Sequence, residues 1–168
     1  PISQLSAALG TSDALAQATM SACMIGLGLG QLAAGPLSDR FGRRRPLLVG
    51  VAAFAVLSLM CALAPNIEVL LVARFLQGLA GSAGIVICLA IARDQFDGAE
   101  LSRMLSLLFL VSGSAPVIAP VVGGQLARIM DWRGIFGVLA AIGVALLLVV
   151  VFALPETLDR ADRHPGGL

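Results

Sequence analysis

Charged side chains are rare in this chain of 168 residues, and one of them stands inside a long apolar segment. Arg74 is followed by Gln77 and Gly78, which the i+3 and i+4 spacing places on the same face of a helix. A cation at such a depth in a membrane is costly unless it is paired or hydrated. Arg74 therefore either lines a pathway for a substrate or for protons, or extends its side chain to the outer membrane surface.

A second group of charges lies in the stretch GPLSDRFGRRRPLL at residues 35–48, between two apolar runs. We interpret this stretch as a short loop that joins two membrane helices on the cytoplasmic side. Asp94 lies near the end of a later predicted helix, where a negative charge is unfavourable, so it should have a cationic partner. Arg43 is our first candidate for that partner. The loop holds the acid Asp39 and the arginines Arg40, Arg43, Arg44 and Arg45.

The composition places these charges in a membrane protein. Hydrophobic residues make up 58% of the chain and charged residues 12%, against about 25% charged residues in a typical soluble domain. The net charge of +1 gives no basis for binding nucleic acid. The sequence contains no catalytic triad pattern, metal-ligand cluster or phosphate-binding loop, so we predict neither an enzyme nor a cofactor. The cysteines are predicted to be packing residues within apolar runs.

Five apolar spans are each long enough to cross a hydrocarbon core of about 30 Å at about 1.5 Å per residue. No segment alternates with a period of two, and an open sheet cannot exist in lipid. We therefore predict an all-α fold, a polytopic membrane helix bundle with about five transmembrane helices. The spans cover approximately residues 14–38, 46–64, 67–92, 98–127 and 134–154.

Several residues mark the ends and contacts of these helices. Thr11, Ser12 and Asp13 are predicted to form an N-cap cluster before the first helix, and Asn66 is predicted to cap the third. Gly26 and Gly30 are four residues apart and let another helix approach closely in lipid. Trp132, the only tryptophan, is expected at the membrane–water boundary before the fifth helix.

The distribution of arginines between the two ends of the spans predicts their orientation. The richer end should be cytoplasmic, which places the N-terminus outside, the C-terminus inside and residues 159–168 in a cytoplasmic polar tail. The poorer end has Arg128 and Arg133. The richer end has Arg40, Arg43, Arg44, Arg45, Arg93, Arg103, Arg160 and Arg163.

Three motifs, in matching order and spacing, resemble signatures of the major facilitator superfamily. Residues 35–45 resemble the loop signature between its second and third helices, and residues 74–78 (RFLQG) resemble its fourth-helix motif. Residues 115–124 are similar to the antiporter motif of its fifth helix, with alanine at 115 and 119 where the general motif has glycine. With alanine at these two positions and the phrases ARD-x-F and PETL, the sequence resembles one branch of the drug:proton antiporters. This is the Bcr/CflA branch, which is named for resistance to bicyclomycin and chloramphenicol.

The resemblance implies that the five spans are helices two to six of a twelve-helix transporter. Residues 1–158 would then be a partial N-terminal six-helix half that lacks most of helix one. The substrate cavity of the family lies between two halves, so the C-terminal half would be a missing partner. The other implied partners are the lipid bilayer, protons and a small-molecule substrate, and the implied location is the bacterial inner membrane.

The resemblance also implies roles for individual residues. Arg74, Gln77 and Gly78 would serve proton coupling and the substrate pathway. The antiporter helix motif consists of Pro116, Pro120, Gly123 and Gly124. Its prolines either simply kink the helix or serve sealing or bending between transport states. The cytoplasmic gating motif, which would hold the outward-facing state, consists of Gly35, Asp39, Arg40, Gly42, Arg43, Arg44 and Asp94.

The leading functional prediction is proton-coupled efflux of small hydrophobic or amphiphilic drugs, performed as part of a longer transporter. Two alternatives stay open. One is transport of a natural metabolite such as an amino acid or a sugar. The other is a truncated membrane fragment that does not transport.

Overall fold

The structure, a computed structural model, describes Ser6 and residues 9–154 of the chain. These residues form five α-helices and no strand, which confirms the predicted fold class. Each helix is long and apolar enough to cross a membrane. The predicted polar tail, residues 159–168, and the PETL phrase lie outside the described residues. The helices are α1 (Asp13–Phe41), α2 (Arg44–Ala62), α3 (Ile67–Gln95), α4 (Gly98–Ile129) and α5 (Trp132–Ala153).

Side-chain caps begin three of these helices, because the first backbone N–H groups of a helix have no partner within it. The Ser12 hydroxyl accepts a hydrogen bond from the backbone N–H of Leu15. The side chain of Asn66 accepts from the N–H of Val69 at 2.9 Å. The cluster predicted at residues 11–13 therefore caps α1 through Ser12, and the predicted cap at Asn66 is confirmed. Asp131 caps α5 in the same way.

The connection between α1 and α2 is shorter than the sequence predicted. The helix α1 continues through Pro36 to Phe41 and α2 begins at Arg44, so Gly42 and Arg43 alone connect them. Gly42 has φ +86° and ψ +166°, a backbone conformation that is essentially restricted to glycine. The stretch predicted as a loop is therefore the end of one helix and the start of the next. This geometry holds its charged side chains on helical scaffolds.

The helices α1 and α3 cross in close backbone contact. A Cβ atom added to Gly26 of α1 would lie 2.0 Å from the carbonyl oxygen of Phe75. A Cβ atom added to Gly78 of α3 would lie 2.0 Å from the carbonyl oxygen of Cys23. The close approach predicted for Gly26 and Gly30 is confirmed, since Gly30 meets the hydroxyl of Ser82 on α3. Small residues let the two backbones approach to a distance that larger side chains would prevent.

The helix α2 packs against both α3 and α5. Its Gly50 faces Ala83 of α3, and its Ala55 faces Gly143 of α5, each with too little space for an added methyl group. The helix α4 differs from the others, because none of its residues is buried and its packing on α3 and α5 is slight. It remains a single helix through its two prolines.

Trp132 lies at the start of α5, and its side chain is turned into the bundle. Its side chain is 6% exposed and packs in a buried cluster with Cys61, Leu70 and Ala73. Its ring meets the ring of Phe136 edge to face, with the centroids 6.2 Å apart. The indole contributes to contacts between helices, because the ends of α2, α3 and α5 close around it.

Candidate functional site

One cluster of charges joins the α1–α2 connection to the end of α3. Nε of Arg43 donates to Oδ2 of Asp94 at 2.8 Å, and Nη2 of Arg43 donates to Oδ1 of the same carboxylate at 3.3 Å. Nη1 of Arg43 donates to Oγ of Ser38 at 2.8 Å and also to Oδ1 of Asp39. The predicted pairing of Asp94 with Arg43 is confirmed. A planar guanidinium with its fork of donors suits such a two-point contact with a carboxylate.

The electrostatics of this cluster keep Arg43 charged. Burial by itself disfavours the charged guanidinium, but hydrogen bonds and attraction from Asp94 and Asp39 outweigh it and raise the pKa of Arg43. The arginine and aspartate side chains of this pair are 11% and 19% exposed, so the solvent screens their attraction only in part. The side chain of Asp39 is 57% exposed and remains open to a further contact on the outer side of the cluster.

The other residues of the predicted gating motif lie around this cluster and make different contacts. The carbonyl of Gly35 accepts a hydrogen bond from the hydroxyl of Ser38. The guanidinium of Arg40 lies 5.4 Å from the centroid of the Phe41 ring. Nη2 of Arg44 donates to the carbonyl oxygen of Val151 at 2.8 Å, which ties α2 to the far end of α5.

Ser38 is a member of the cluster that the sequence analysis missed. Its side chain is fully buried and its oxygen accepts a hydrogen bond from Arg43 while it donates to the carbonyl of Gly35. The sequence contained a usable signal, because Ser38 directly precedes Asp39 and a helix places it one turn before the connection to α2. The interpretation of residues 35–48 as a loop concealed that relationship.

A second polar network surrounds Arg74 within the bundle. Nη1 of Arg74 donates to Oε1 of Gln77 at 2.8 Å, and Nε2 of Gln77 donates to Oγ of Ser58 on α2 at 2.6 Å. The Ser58 hydroxyl in turn donates to the carbonyl oxygen of Phe54. Ser58 and Gln77 are almost completely buried. Both of these buried side chains therefore have partners, as expected for a stable network in apolar surroundings.

The guanidinium of Arg74 also lies over an aromatic ring. Its central carbon is 5.4 Å from the centroid of the Phe136 ring on α5, a distance at which a cation is attracted to the ring face. The side chain thus turns toward neighbouring helices of the bundle. Phe136 and Ser58 belong to other helices, and their relation to Arg74 was not visible in the sequence.

Gly78 and the proline motif lie apart from the side-chain network of Arg74. Gly78 faces α1 at the close helix crossing, where it contacts the backbone of Cys23. Pro116 and Pro120 are exposed in α4, and a Cβ atom added to Gly123 or Gly124 would meet nothing within 4 Å. The face of α4 that carries this motif is open in the described part of the chain.

The opposite end of the bundle has its own arginine contact. Nη2 of Arg133 donates to the carbonyl oxygen of Ala64 at 3.0 Å, just beyond the end of α2. The Arg133 guanidinium also lies 4.3 Å from the ring centroid of Trp132. Arg43 and Arg133 therefore hold helices together at opposite ends, which agrees with the predicted division of the arginines between two ends.

The sequence matches the Major Facilitator Superfamily over residues 1–167. The chain belongs to this family of membrane transporters, and its five apolar helices make it an integral multi-pass membrane protein. The superfamily resemblance carried by the three sequence motifs is thereby confirmed.

Relatives within the superfamily agree with the predicted branch. The chain is 46% identical over 162 residues to the uncharacterized MFS-type transporter YdgK of Bacillus subtilis (strain 168). It is 34% identical over 157 residues to the bicyclomycin resistance protein homolog of Haemophilus influenzae, and 35% identical over 158 residues to the multidrug resistance protein MdtL of Escherichia coli O45:K1. These matches cover 94–95% of this chain but 39–40% of the relatives, so the chain spans about two fifths of their length.

A solved structure supports the helix arrangement. The chain superimposes on the human organic anion transporter MFSD10 (TETRAN) with a TM-score of 0.73, over 98% of this chain and 39% of that chain. The sequence identity is 18%, so this likeness concerns the fold alone.

Proposed function

We propose that this chain forms part of a proton-coupled exporter of small hydrophobic or amphiphilic drugs. The single observation that carries the proposal is Arg74, a guanidinium held partly buried in an apolar bundle by Gln77 and by the ring of Phe136. A charge in such a place is a functional-site hypothesis by default. The choice of drugs follows from relatives that are named for bicyclomycin resistance and multidrug resistance.

In this proposal Arg74 acts as a fixed charge. An arginine does not release its proton at physiological pH. Its charge instead stabilises the ionised form of an acid, or an anionic group of a substrate, that enters the same cavity. Gln77 and Ser58 fix its position, and Gly78 keeps α3 close to α1, so the guanidinium stays within the pathway.

The Arg43 cluster is proposed as the cytoplasmic gating motif. Arg43 binds both Asp39 and Asp94 and thereby couples the ends of α1, α2 and α3. The exposed carboxylate of Asp39 is available for contact with an element outside this bundle. A helix N-terminus of a second half would suit it, because such an end attracts negative charge. Forming and breaking that contact would accompany the change between outward- and inward-facing states.

The remaining proposals concern the arrangement of the whole transporter. Residues 1–158 form a partial N-terminal half, with the Arg43 end of the bundle and residues 159–168 in the cytoplasm of a bacterium. The open face of α4, with Pro116, Pro120, Gly123 and Gly124, packs against the C-terminal half. The absence of buried residues in α4 supports that arrangement.

The test is drug accumulation in cells that lack their other efflux pumps and express the full-length transporter containing this chain. We expect accumulation of a small amphiphilic drug to fall on expression and to be restored by a protonophore. Arg74→Ala should abolish this protonophore-sensitive efflux, and Arg74→Lys should restore it only in part because lysine lacks the planar fork of donors. Arg128→Gln, a change at an exposed arginine of α4, is the matched control.

Each alternative has its own outcome. Efflux that persists without a proton gradient, or that is unaffected by Arg74→Ala, contradicts proton coupling through this residue. Transport of an amino acid or a sugar without any drug efflux supports a metabolite transporter instead. The non-transporting fragment is tested at the gene instead, because an open reading frame that extends through a second set of six spans would contradict it.

A further inference from the structure

A groove of about 450 Å³ runs along the face formed by α1, α2 and α3. Its volume lies within the ~300–1,000 Å³ that is usual for ligand pockets. Small side chains such as Ala33 and Ala53 leave the space open, and Leu37, Phe41 and Val49 line it while remaining substantially exposed. The groove is therefore an apolar slot that faces outward from these helices.

The polar side chains in the lining are Ser82 and Arg45. The hydroxyl of Ser82 is buried and donates to the carbonyl oxygen of Leu79, so it has a partner already. Arg45 is exposed, and it makes no ion pair with any residue that the structure describes. The other three arginines of residues 40–45 belong to the predicted gating motif, and Arg45 does not.

The groove has the length of one leaflet of a bilayer. Its lining on α1 extends from Phe41 to Gly30, an axial rise of about 16 Å at about 1.5 Å per residue. On α2 it extends from Arg45 to Leu57, a rise of about 18 Å. Half of a hydrocarbon core of about 30 Å is about 15 Å. A groove of this length that begins beside arginines at a membrane surface would end near the middle of the bilayer.

The surface end of the groove carries an excess of positive charge. Arg45 lines it, and Arg40 lies against the ring of Phe41, which also lines it. The nearby acid Asp39 is bound to Arg43, and Arg44 is directed to the carbonyl of Val151 on α5. Arg40 and Arg45 are therefore the cations that a negatively charged group at the mouth of the groove would meet.

We propose that this groove binds an anionic phospholipid, with one acyl chain in the slot and the phosphate on Arg45, assisted by Arg40. Basic pockets between transmembrane helices bind anionic lipid head groups by this combination of charge and apolar contact. The competing occupant is another helix of the same transporter. A helix over the groove would have to supply an acid for Arg45, because an unpaired buried charge is strongly destabilising. The phosphate of a lipid supplies that charge.

The first experiment identifies the occupant directly. A photoreactive phenylalanine analogue is placed at Ala33 of the full-length transporter in vesicles of phosphatidylethanolamine and phosphatidylglycerol, and the cross-linked product is analysed by mass spectrometry. We expect an adduct with the mass of a phospholipid. A cross-link to another peptide of the transporter overturns the proposal in favour of a helix. The readout requires no transport, so its failure is distinct from failure of the proposed efflux.

The second experiment tests the role of Arg45. The transporter is purified from the same mixed vesicles, and the retained phosphatidylglycerol is quantified. We expect Arg45→Gln to reduce retention about fivefold, the factor that one cation near anionic lipid supplies. Arg45→Lys should largely preserve retention, and Arg103→Gln, which removes an exposed arginine at the same end of the bundle, should leave it unchanged. Equal retention in Arg45→Gln and Arg103→Gln overturns the proposal.

Discussion

Arg43 and Asp94 are 51 positions apart in the sequence, yet Nε of the arginine lies 2.8 Å from Oδ2 of the aspartate. The contact connects the two residues between α1 and α2 to the last turn of α3. Because Arg43 also binds Asp39, one guanidinium serves two carboxylates from different helices. Loss of the arginine therefore leaves two carboxylates without a partner, whereas loss of either acid leaves the arginine with the other one.

The first prediction concerns this asymmetry. In the full-length transporter, Arg43→Ala should lower the free energy of unfolding more than Asp94→Asn, since it leaves two carboxylates without their cation. We expect the double variant to lose less stability than the sum of the single variants, with a coupling of about 0.5–3 kcal/mol. Thermal unfolding in detergent measures the ranking, and chemical unfolding measures the coupling. Arg93→Gln is the control, and strictly additive effects would show that the pair does not interact.

The second prediction concerns the backbone at Gly42. With φ at +86° and ψ at +166°, an alanine at this position would be held in a conformation that costs about 1–3 kcal/mol. Gly42→Ala should therefore destabilise the protein and displace Arg43 from Asp94. Gly28→Ala on α1 is the matched control, because an added methyl group there meets nothing within 4 Å. Equal melting temperatures for the two variants would contradict this account.

The third prediction concerns the crossing of α1 and α3. An added methyl group at Gly78 would overlap the carbonyl of Cys23, so Gly78→Ala must force the backbones apart. Overpacking of this kind costs about 1–3 kcal/mol, and we expect a reduced yield of folded protein and a lower melting temperature. Gly84→Ala lies on the same helix in open space and should be tolerated. A tolerated Gly78→Ala would show that the helices cross less closely than described.

The fourth prediction concerns the support of Arg74. Ser58→Ala removes the hydroxyl that accepts from Gln77, and an unsatisfied buried donor costs about 1–3 kcal/mol. The released amide should also shift Arg74, so drug efflux should fall even where the protein remains folded. Ser106→Ala, which removes a hydroxyl from the exposed face of α4, is the control. If the two variants retain equal stability and efflux, Ser58 has no positioning role.

Much of the architecture followed from local chemistry. Long uncharged runs predicted five membrane helices because lipid offers no partner for unpaired backbone groups. The cluster at residues 11–13 and Asn66 marked helix starts because such side chains can bind the first N–H groups. The pairing of Asp94 with Arg43 was also predictable, since both residues were placed at the same end of the spans and opposite charges attract there.

Contacts between helices were decided by the tertiary structure. Gly78 was grouped with Arg74 because helical spacing places them on one face, yet that face is wide enough for Arg74 to turn toward α5 while Gly78 meets α1. Ser38 contacts Arg43, and Phe136 contacts Arg74 from another helix. The periodicity of a single helix does not predict either contact. Trp132 was expected at the membrane boundary, and the tertiary structure adds that the ends of three helices bury its side chain.

The sequence by itself therefore determined which segments enter the membrane, which ends carry charge and to which family the chain belongs, because each depends on hydropathy or on short local motifs. Only the tertiary structure decided which helices touch, where Arg43 and Arg74 direct their donors, and that an apolar groove ends at Arg45. Those features depend on the packing of small residues from distant parts of the chain. The physical reason is that the fit between two helix surfaces depends on both sequences together, so no short segment predicts it.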